Sequence, residues 1–231
     1  SSGSGLHVES ADSIEINHSV FRNNNSGTGV GGGIQLGLTN YASLESVTIE
    51  ENQAYQGGGL YCYASNVDVR NSIIHDNFAS GGNDGGGIYL AGRGKVKFIN
   101  STVTNNQIMA GRNGPGFSMN YWEAPDSILF FNSIISGNKR TDGNMSGQIF
   151  LENWPQTAVI NTFTNEIERA VNEVRLKNNV FTENDPLVNS EEENFELAEY
   201  ASAIGAGKLS IQFNGQTVTT PAFDYYGNPR P

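Results

Sequence analysis

Aromatic side chains recur at matching places in a repeated phrase of this chain. Tyr61 and Tyr89 each directly follow a Gly-Gly-Gly-Leu or Gly-Gly-Gly-Ile phrase, and Phe150 occupies the same place in a more divergent copy. Aromatic rings bordered by amides and carboxylates form surfaces on which sugar rings stack. We therefore expect a ligand-binding face made by Tyr61, Tyr63, Tyr89, Trp122, Phe150 and Trp154. The alternative is an aromatic ladder that only packs against another part of the chain.

A group of charged residues offers a second chemistry. In polysaccharide lyases a Lys or Arg removes the proton α to a uronate carboxylate, while calcium or another cation holds that carboxylate. Lys97 and Arg70 are the candidate bases here, and Glu45, Asp68 and Asp84 are the candidate metal ligands. No cofactor is expected, and calcium is compatible with these carboxylates. Opposite charges on adjacent strands also form ordinary cross-strand ion pairs, so that interpretation stays open.

Other reactive residues indicate no reaction. Paired aspartates of the kind a glycosidase uses are absent, since Asp76 and Asp84 are single. His75, next to Asp76 at a predicted corner, is expected to be solvated. Cys62, the only cysteine, lies in an apolar alternation and is expected to be a small core residue.

The composition narrows the choice of partners. The 231 residues carry a formal net charge of −11, which repels nucleic acid and anionic membranes. No apolar run approaches the length of a membrane span, so no membrane insertion is expected in this segment. Neutral polysaccharides and cell-surface glycans remain compatible with this charge.

The elements that position these side chains come from an internal repeat. The glycine-rich phrase starts at positions 31, 57, 85, 114 and 146, so its copies are 26, 28, 29 and 32 residues apart. Each copy precedes an alternating strand, a polar loop, a second strand and an apolar-x-x-Asn corner such as Ile74-His75-Asp76-Asn77. Such short strands bury their apolar side chains only when successive turns stack in parallel. The recurring asparagines predict a ladder in which each amide bonds the next turn.

These phrases resemble known families. Phe21-Arg22-Asn23-Asn24 followed by Gly32-Gly33-Ile34 is similar to the repeat of the chlamydial polymorphic outer-membrane proteins and of the broader pectate-lyase-like superfamily. The resemblance implies an all-β, right-handed parallel β-helix solenoid of about six turns with a C-terminal capping segment. It implies no single activity, because that superfamily contains lyases, hydrolases, adhesins and structural proteins.

The C-terminal part has a different composition. We expect the β-helix over 1–184, with an insertion at about 155–173, and a cap over 185–231 that packs on the last turn. The ending Asp224-Tyr225-Tyr226-Gly227-Asn228-Pro229-Arg230-Pro231 resembles the segment that precedes the anchor in bacterial secreted proteins of the choice-of-anchor group. That resemblance implies an extracellular or cell-surface location of bacterial type.

Three functions remain compatible with the sequence. The first is a non-catalytic adhesion or glycan-binding module that uses the aromatic face. The second is a polysaccharide lyase, or another polysaccharide-degrading enzyme, working beside the second strand. The third is a structural unit that associates end to end, because a β-helix exposes strand edges at both ends.

Overall fold

The computed structural model describes residues 4–81, 85–110, 113–120, 125–144, 147–151, 157–160, 162–164, 167–168, 175–177, 180–181, 187–189, 192, 194–197 and 207–230. Within these residues the regular structure consists of β-strands, with no α-helix. It follows that the described part of the chain has no helix suited to spanning a bilayer.

The strands follow the chain around successive rungs, where a rung is one turn about the long axis. The first four rungs contain β1 (Leu6–Glu9), β2 (Ile14–Asn17), β3 (Val20–Arg22), β4 (Ile34–Gly37), β5 (Ala42–Glu45), β6 (Thr48–Glu50), β7 (Gln53–Ala54), β8 (Leu60–Tyr63), β9 (Val67–Arg70), β10 (Ile73–His75), β11 (Phe78–Ala79), β12 (Ile88–Ala91), β13 (Lys95–Ile99), β14 (Thr102–Thr104) and β15 (Gln107–Ile108). The next three contain β16 (Phe117–Met119), β17 (Ser127–Phe131), β18 (Ile134–Ser136), β19 (Lys139–Arg140), β20 (Ile149–Phe150), β21 (Thr157–Ile160), β22 (Phe163–Thr164), β23 (Ile167–Glu168), β24 (Arg175–Lys177) and β25 (Val180–Phe181). Two hairpins follow, β26 (Leu187–Asn189) with β27 (Asn194–Leu197), and β28 (Ser210–Phe213) with β29 (Gln216–Thr219).

Equivalent strands of successive rungs pair in parallel. The first sheet has the order β1-β4-β8-β12-β16-β20-β23, the second β2-β5-β9-β13-β17-β21-β24, the third β3-β6-β10-β14-β18-β22-β25, and the fourth β7-β11-β15-β19. The three long sheets therefore have seven strands each, close to the six turns expected. The parallel β-helix predicted from the repeat is confirmed.

The core lies between the sheets and contains the side chains that the alternation assigns to the inside. Inward positions align from rung to rung, as in Leu6 with Ile34 and Ile34 with Leu60. The buried cluster includes Leu36, Leu44, Ile49, Cys62, Val69, Ile74, Ile88, Phe98, Phe117, Phe130 and Ile149. Burial raises the pKa of the Cys62 thiol, so this side chain behaves as a core residue, as expected.

The asparagine corners form the predicted ladder. In the described residues it runs Asn24, Asn52, Asn77, Asn106 and Asn138, and from Asn52 onward each side-chain oxygen accepts from the asparagine one rung before it. Gln148 accepts from Asn138 and continues the ladder by one step.

Two features differ from the sequence-based expectation. Within the insertion expected at about 155–173, the described strands β21, β22 and β23 belong to the second, third and first sheets, so the repeat continues there. The C-terminal residues 207–230, which we call the strap, lie along the outer side of the second sheet and not over the last rung. Asn132 bonds its beginning at Lys208, and Thr48 bonds its end at Tyr225.

Candidate binding face

The outer side of the first sheet presents the predicted aromatic residues in two columns. The register places His7, Gln35, Tyr61 and Tyr89 in one column, and Glu9, Gly37, Tyr63 and Ala91 in the other. These positions point outward because their neighbours along each strand point into the core. The columns expected from the alternation are therefore present.

The face is open at its first three rungs and closed at the fourth. Tyr61 is half-buried and Tyr63 is 38% exposed, whereas Tyr89 is only 1% exposed. The Tyr61 and Tyr89 rings stack, with centroids 5.8 Å apart and planes at 21°. The expectation that Tyr89 is an accessible ligand-binding residue is therefore wrong, because its side chain is buried with its ring stacked on that of Tyr61. We call His7, Glu9, Gln35, Tyr61 and Tyr63 the open face.

Two side-chain acceptors lie on the open face, one buried and one exposed. Gln35 Oε1 is buried and has no hydrogen-bond partner in the described part of the chain. Glu9, half of whose side chain is exposed, lies 3.6 Å from His7 Nε2, and its carboxylate occupies the space that a Cβ on Gly37 would need. Glycine at position 37 thus lets the Glu9 carboxylate lie over the neighbouring strand β4, within the same column.

Among the described residues, Phe150 is the remaining aromatic candidate, and it lies outside the open face. Phe150 lies half-buried on β20, in the sixth rung. Trp122 and Trp154 lie outside the described residues, as does Asp84, the third candidate metal ligand.

The charged candidates lie together on the second sheet, in the predicted register. Lys97 is beside Asp68, and Arg70 is beside Glu45. Lys97 Nζ is 3.1 Å from Asp68 Oδ1, and Arg70 Nη2 is 3.5 Å from Asp68 Oδ2. Asp68 is thus engaged by both candidate bases, and Glu45 accepts from Asn71.

The strap covers the side of this charged cluster. Arg70 Nη1 donates to the Thr219 carbonyl at 3.1 Å. Next to it, Ile211, Phe213 and Val218 of the strap pack on an outward apolar seam of the second sheet, formed by Ile99, Leu129 and Phe131. The arrangement is that of cross-strand ion pairs beneath a packed hairpin. Among the described residues, no three acidic, histidine or cysteine side chains are grouped as a cation site.

The strap itself is fixed by the C-terminal phrase. Arg230 Nη2 donates to Asn71 Oδ1 at 2.9 Å, and Asn71 Nδ2 donates to the Phe223 carbonyl at 2.8 Å. Asp224 accepts from the backbone and the side chain of Asn228, which closes a turn. Burial acts to raise the pKa of Asp224, but the hydrogen bonds from Asn228 outweigh it and hold this pKa below its ordinary value.

The alternation did not reveal one polar cluster on the third sheet. His75 is 1% exposed, not solvated as expected; its Nε2 is 2.8 Å from Glu50 Oε2, and its Nδ1 is 2.6 Å from Asp76 Oδ2. The available signal was positional, because Arg22, Glu50 and His75 occupy the same place in successive copies of the repeat.

Stacked parallel strands with an inward core and an asparagine ladder define a parallel β-helix. The family model for the right handed beta helix region matches residues 1–121, more than half of the 231 residues. The chain belongs to this family. No curated protein and no solved structure matches this chain.

Proposed function

We propose that this β-helix is a non-catalytic, secreted or cell-surface module that binds a neutral glycan on the open face. The observation that carries the proposal is the pair of accessible rings, Tyr61 and Tyr63, beside the half-exposed Glu9 carboxylate. The resemblance of the repeat and of the C-terminal phrase to surface proteins supports the location.

The chemistry of the open face suits a polyhydroxylated ligand. Tyrosine rings offer apolar faces to the C–H groups of a sugar ring, and their hydroxyl groups add hydrogen bonds at the edge. The exposed Glu9 carboxylate is an acceptor, so it suits donors such as sugar hydroxyl groups. Three adjacent strands span about 10 Å, which suits a short stretch of an oligosaccharide.

Charge argues against a polyanionic ligand. The chain carries a net charge of −11, and Glu9 lies within the open face. A uronate polymer would meet repulsion there. The residues that lyase chemistry would require, Lys97 and Arg70, are ion-paired with Asp68 beside the strap.

The test is a glycan array followed by calorimetry with a glycan that binds. We expect Tyr61→Ala and Tyr63→Ala each to weaken binding by about 0.5–1.5 kcal/mol, the typical contribution of an aromatic contact. Tyr55→Ala is the matched control, because Tyr55 is 43% exposed but follows β7 of the fourth sheet.

Three outcomes contradict the proposal. The array shows no binding, the open-face variants bind as the unmodified chain does, or Tyr55→Ala weakens binding equally. Release of an unsaturated sugar product that depends on Lys97 would instead identify a lyase.

A further inference from the structure

One glycine beneath the open face is not required by its own backbone conformation. Gly37 is the last residue of β4, within the first sheet, and its φ lies outside the left-handed region that favours glycine. A glycine in a strand weakens that strand and often marks a place where a ligand or another chain segment approaches closely. The reason for a glycine at position 37 therefore lies in its surroundings.

Those surroundings consist of one side chain. The three atoms that a Cβ at position 37 would approach most closely all belong to Glu9, among them the carboxyl carbon at 2.8 Å. At Gly58 and Gly59, by contrast, the added carbon would meet backbone carbonyl oxygens of a neighbouring rung. The end of a flexible side chain can move away from an added methyl group, whereas the backbone cannot. Gly37 thus makes room for the Glu9 carboxylate and not for the fold.

The register places this carboxylate next to a tyrosine of the open face. Gly37 pairs with Glu9 on one side and with Tyr63 on the other. Adjacent strands lie about 4.8 Å apart, so a carboxylate over β4 is one strand nearer to Tyr63 than the Glu9 backbone is. The contact of Glu9 with His7, at 3.6 Å, is longer than a hydrogen bond and exposed, so it holds the carboxylate only weakly.

We propose that Gly37 is a positioning residue of the glycan site, which acts through Glu9; this inference rests on the proposed function. With no side chain at position 37, the carboxylate lies beside Tyr63, at the edge of a sugar ring that packs on that tyrosine. An ionised carboxylate only accepts hydrogen bonds, so it selects sugars with a free hydroxyl group at that edge. An O-methylated sugar offers no donor there.

Gly37→Ala separates positioning from folding, because its two expected effects have opposite signs. The probe is the neutral oligosaccharide that binds best on the array. The methyl group displaces the carboxylate and should weaken binding of this probe by about tenfold, the scale of one hydrogen bond to a charged group. The same substitution restricts the unfolded chain, so the midpoint of denaturant unfolding should stay unchanged or rise. Gly207→Ala is the matched control and should bind as the unmodified chain does, because its Cβ would meet only Asn132, at ordinary contact distance.

A double-mutant cycle shows whether Gly37 acts through Glu9. Glu9→Ala should weaken binding as much as Gly37→Ala does, and the two substitutions together should weaken it no further. The O-methylated form of the probe measures selectivity. The unmodified chain should prefer the free oligosaccharide, and this preference should shrink by the same factor in both single variants.

The opposite results are distinct from a failure of the glycan proposal. If Tyr61→Ala and Tyr63→Ala weaken binding but Gly37→Ala does not, the positioning role is overturned and the glycan site remains. A further loss on adding Gly37→Ala to Glu9→Ala also overturns it, because the methyl group then acts without the carboxylate. Absence of glycan binding by the unmodified chain overturns both proposals. NMR of the free chain needs no ligand: no nuclear Overhauser effect between the Glu9 side-chain hydrogens and the Gly37 α hydrogens contradicts the placement of the carboxylate.

Discussion

At the scale of single residues, buried amides hold the rungs in register. Asn77 shows the pattern: its Oδ1 accepts from the backbone and the side chain of Asn52, while its Nδ2 donates to the carbonyls of Ile49 and His75 and to Asn106 Oδ1. An isolated buried amide costs free energy, but a column satisfies every member. The asparagines thereby connect the corners through side chains, where the strand ladders end.

Asn77→Ala should therefore destabilise the protein strongly. The substitution leaves the buried backbone N–H of Asn52 without its acceptor, and each such buried group costs about 1–3 kcal/mol. Denaturant unfolding measures the change in the free energy of unfolding. Asn40→Ala, at an exposed asparagine whose side chain bonds Asp12, should change it little, and a similar loss in both variants would contradict the ladder's role.

Residue positions were predictable where the information is local. Alternation and repeat spacing identified the inward side chains and the asparagines, because neighbouring rungs lie about one repeat apart in sequence. The same logic failed for Tyr89 and His75, since exposure of an outward position depends on what packs over it. Phe195, which lies against His75, is far away in the sequence and carries no repeat signal.

At the scale of elements, the glycine corners are determined by close backbone approach. A Cβ on Gly58 would lie 2.5 Å from the Phe78 carbonyl oxygen, and one on Gly59 would lie 2.7 Å from the Gly87 oxygen and 2.9 Å from Asn77 Nδ2. The second and third glycines of the phrase thus allow the turn to pass beneath the next rung and the asparagine ladder. This explains why the glycine phrase and the asparagine of the ladder recur together in each repeat.

Gly59→Ala should lower the free energy of unfolding by about 1–3 kcal/mol, the usual cost of overpacking. The added methyl group meets backbone on one side and a ladder amide on the other, so neither side yields easily. Thermal or denaturant unfolding measures the loss. Gly207→Ala is the control, because its Cβ would meet only Asn132 at ordinary contact distance; an equal effect there would refute the steric explanation.

The turn that closes on Asp224 should respond to acid. Its pKa is lowered in the folded protein, so the ionised carboxylate stabilises the turn above the ordinary pKa of about 4, and this stabilisation is lost as the pH falls through the lower folded value. NMR of the Asn228 amide across this range should show the turn opening in acid. Asp224→Asn should have a weaker turn at neutral pH and a smaller acid response, and an unchanged response would assign the transition elsewhere.

At the scale of the whole molecule, the strap connects rungs that are not adjacent. The strands of the β-helix itself pair only between neighbouring rungs. The strap contacts Thr48 in the second rung, Asn71 in the third, Ile99 in the fourth and Asn132 in the fifth. The sequence predicted a cap because the last rung has an unpaired edge. It did not predict that the strap runs along the side of the second sheet. The strap packs there on outward-facing residues such as Leu129 and Phe131, at positions where the alternation predicts polar side chains.

Those outward apolar residues make the strap a separable unit. Phe213 is 5% exposed against the seam, and Phe→Ala changes at buried sites cost about 3–5 kcal/mol. Phe213→Ala should therefore release β28–β29, with hydrogen exchange there becoming fast while the first sheet keeps its protection, because the core of the rungs does not include this side chain. Phe223→Ala, at a phenylalanine of the same strap that is 56% exposed, should leave the strap docked. If the first sheet loses protection together with β28–β29, the solenoid depends on the strap and is not independently stable.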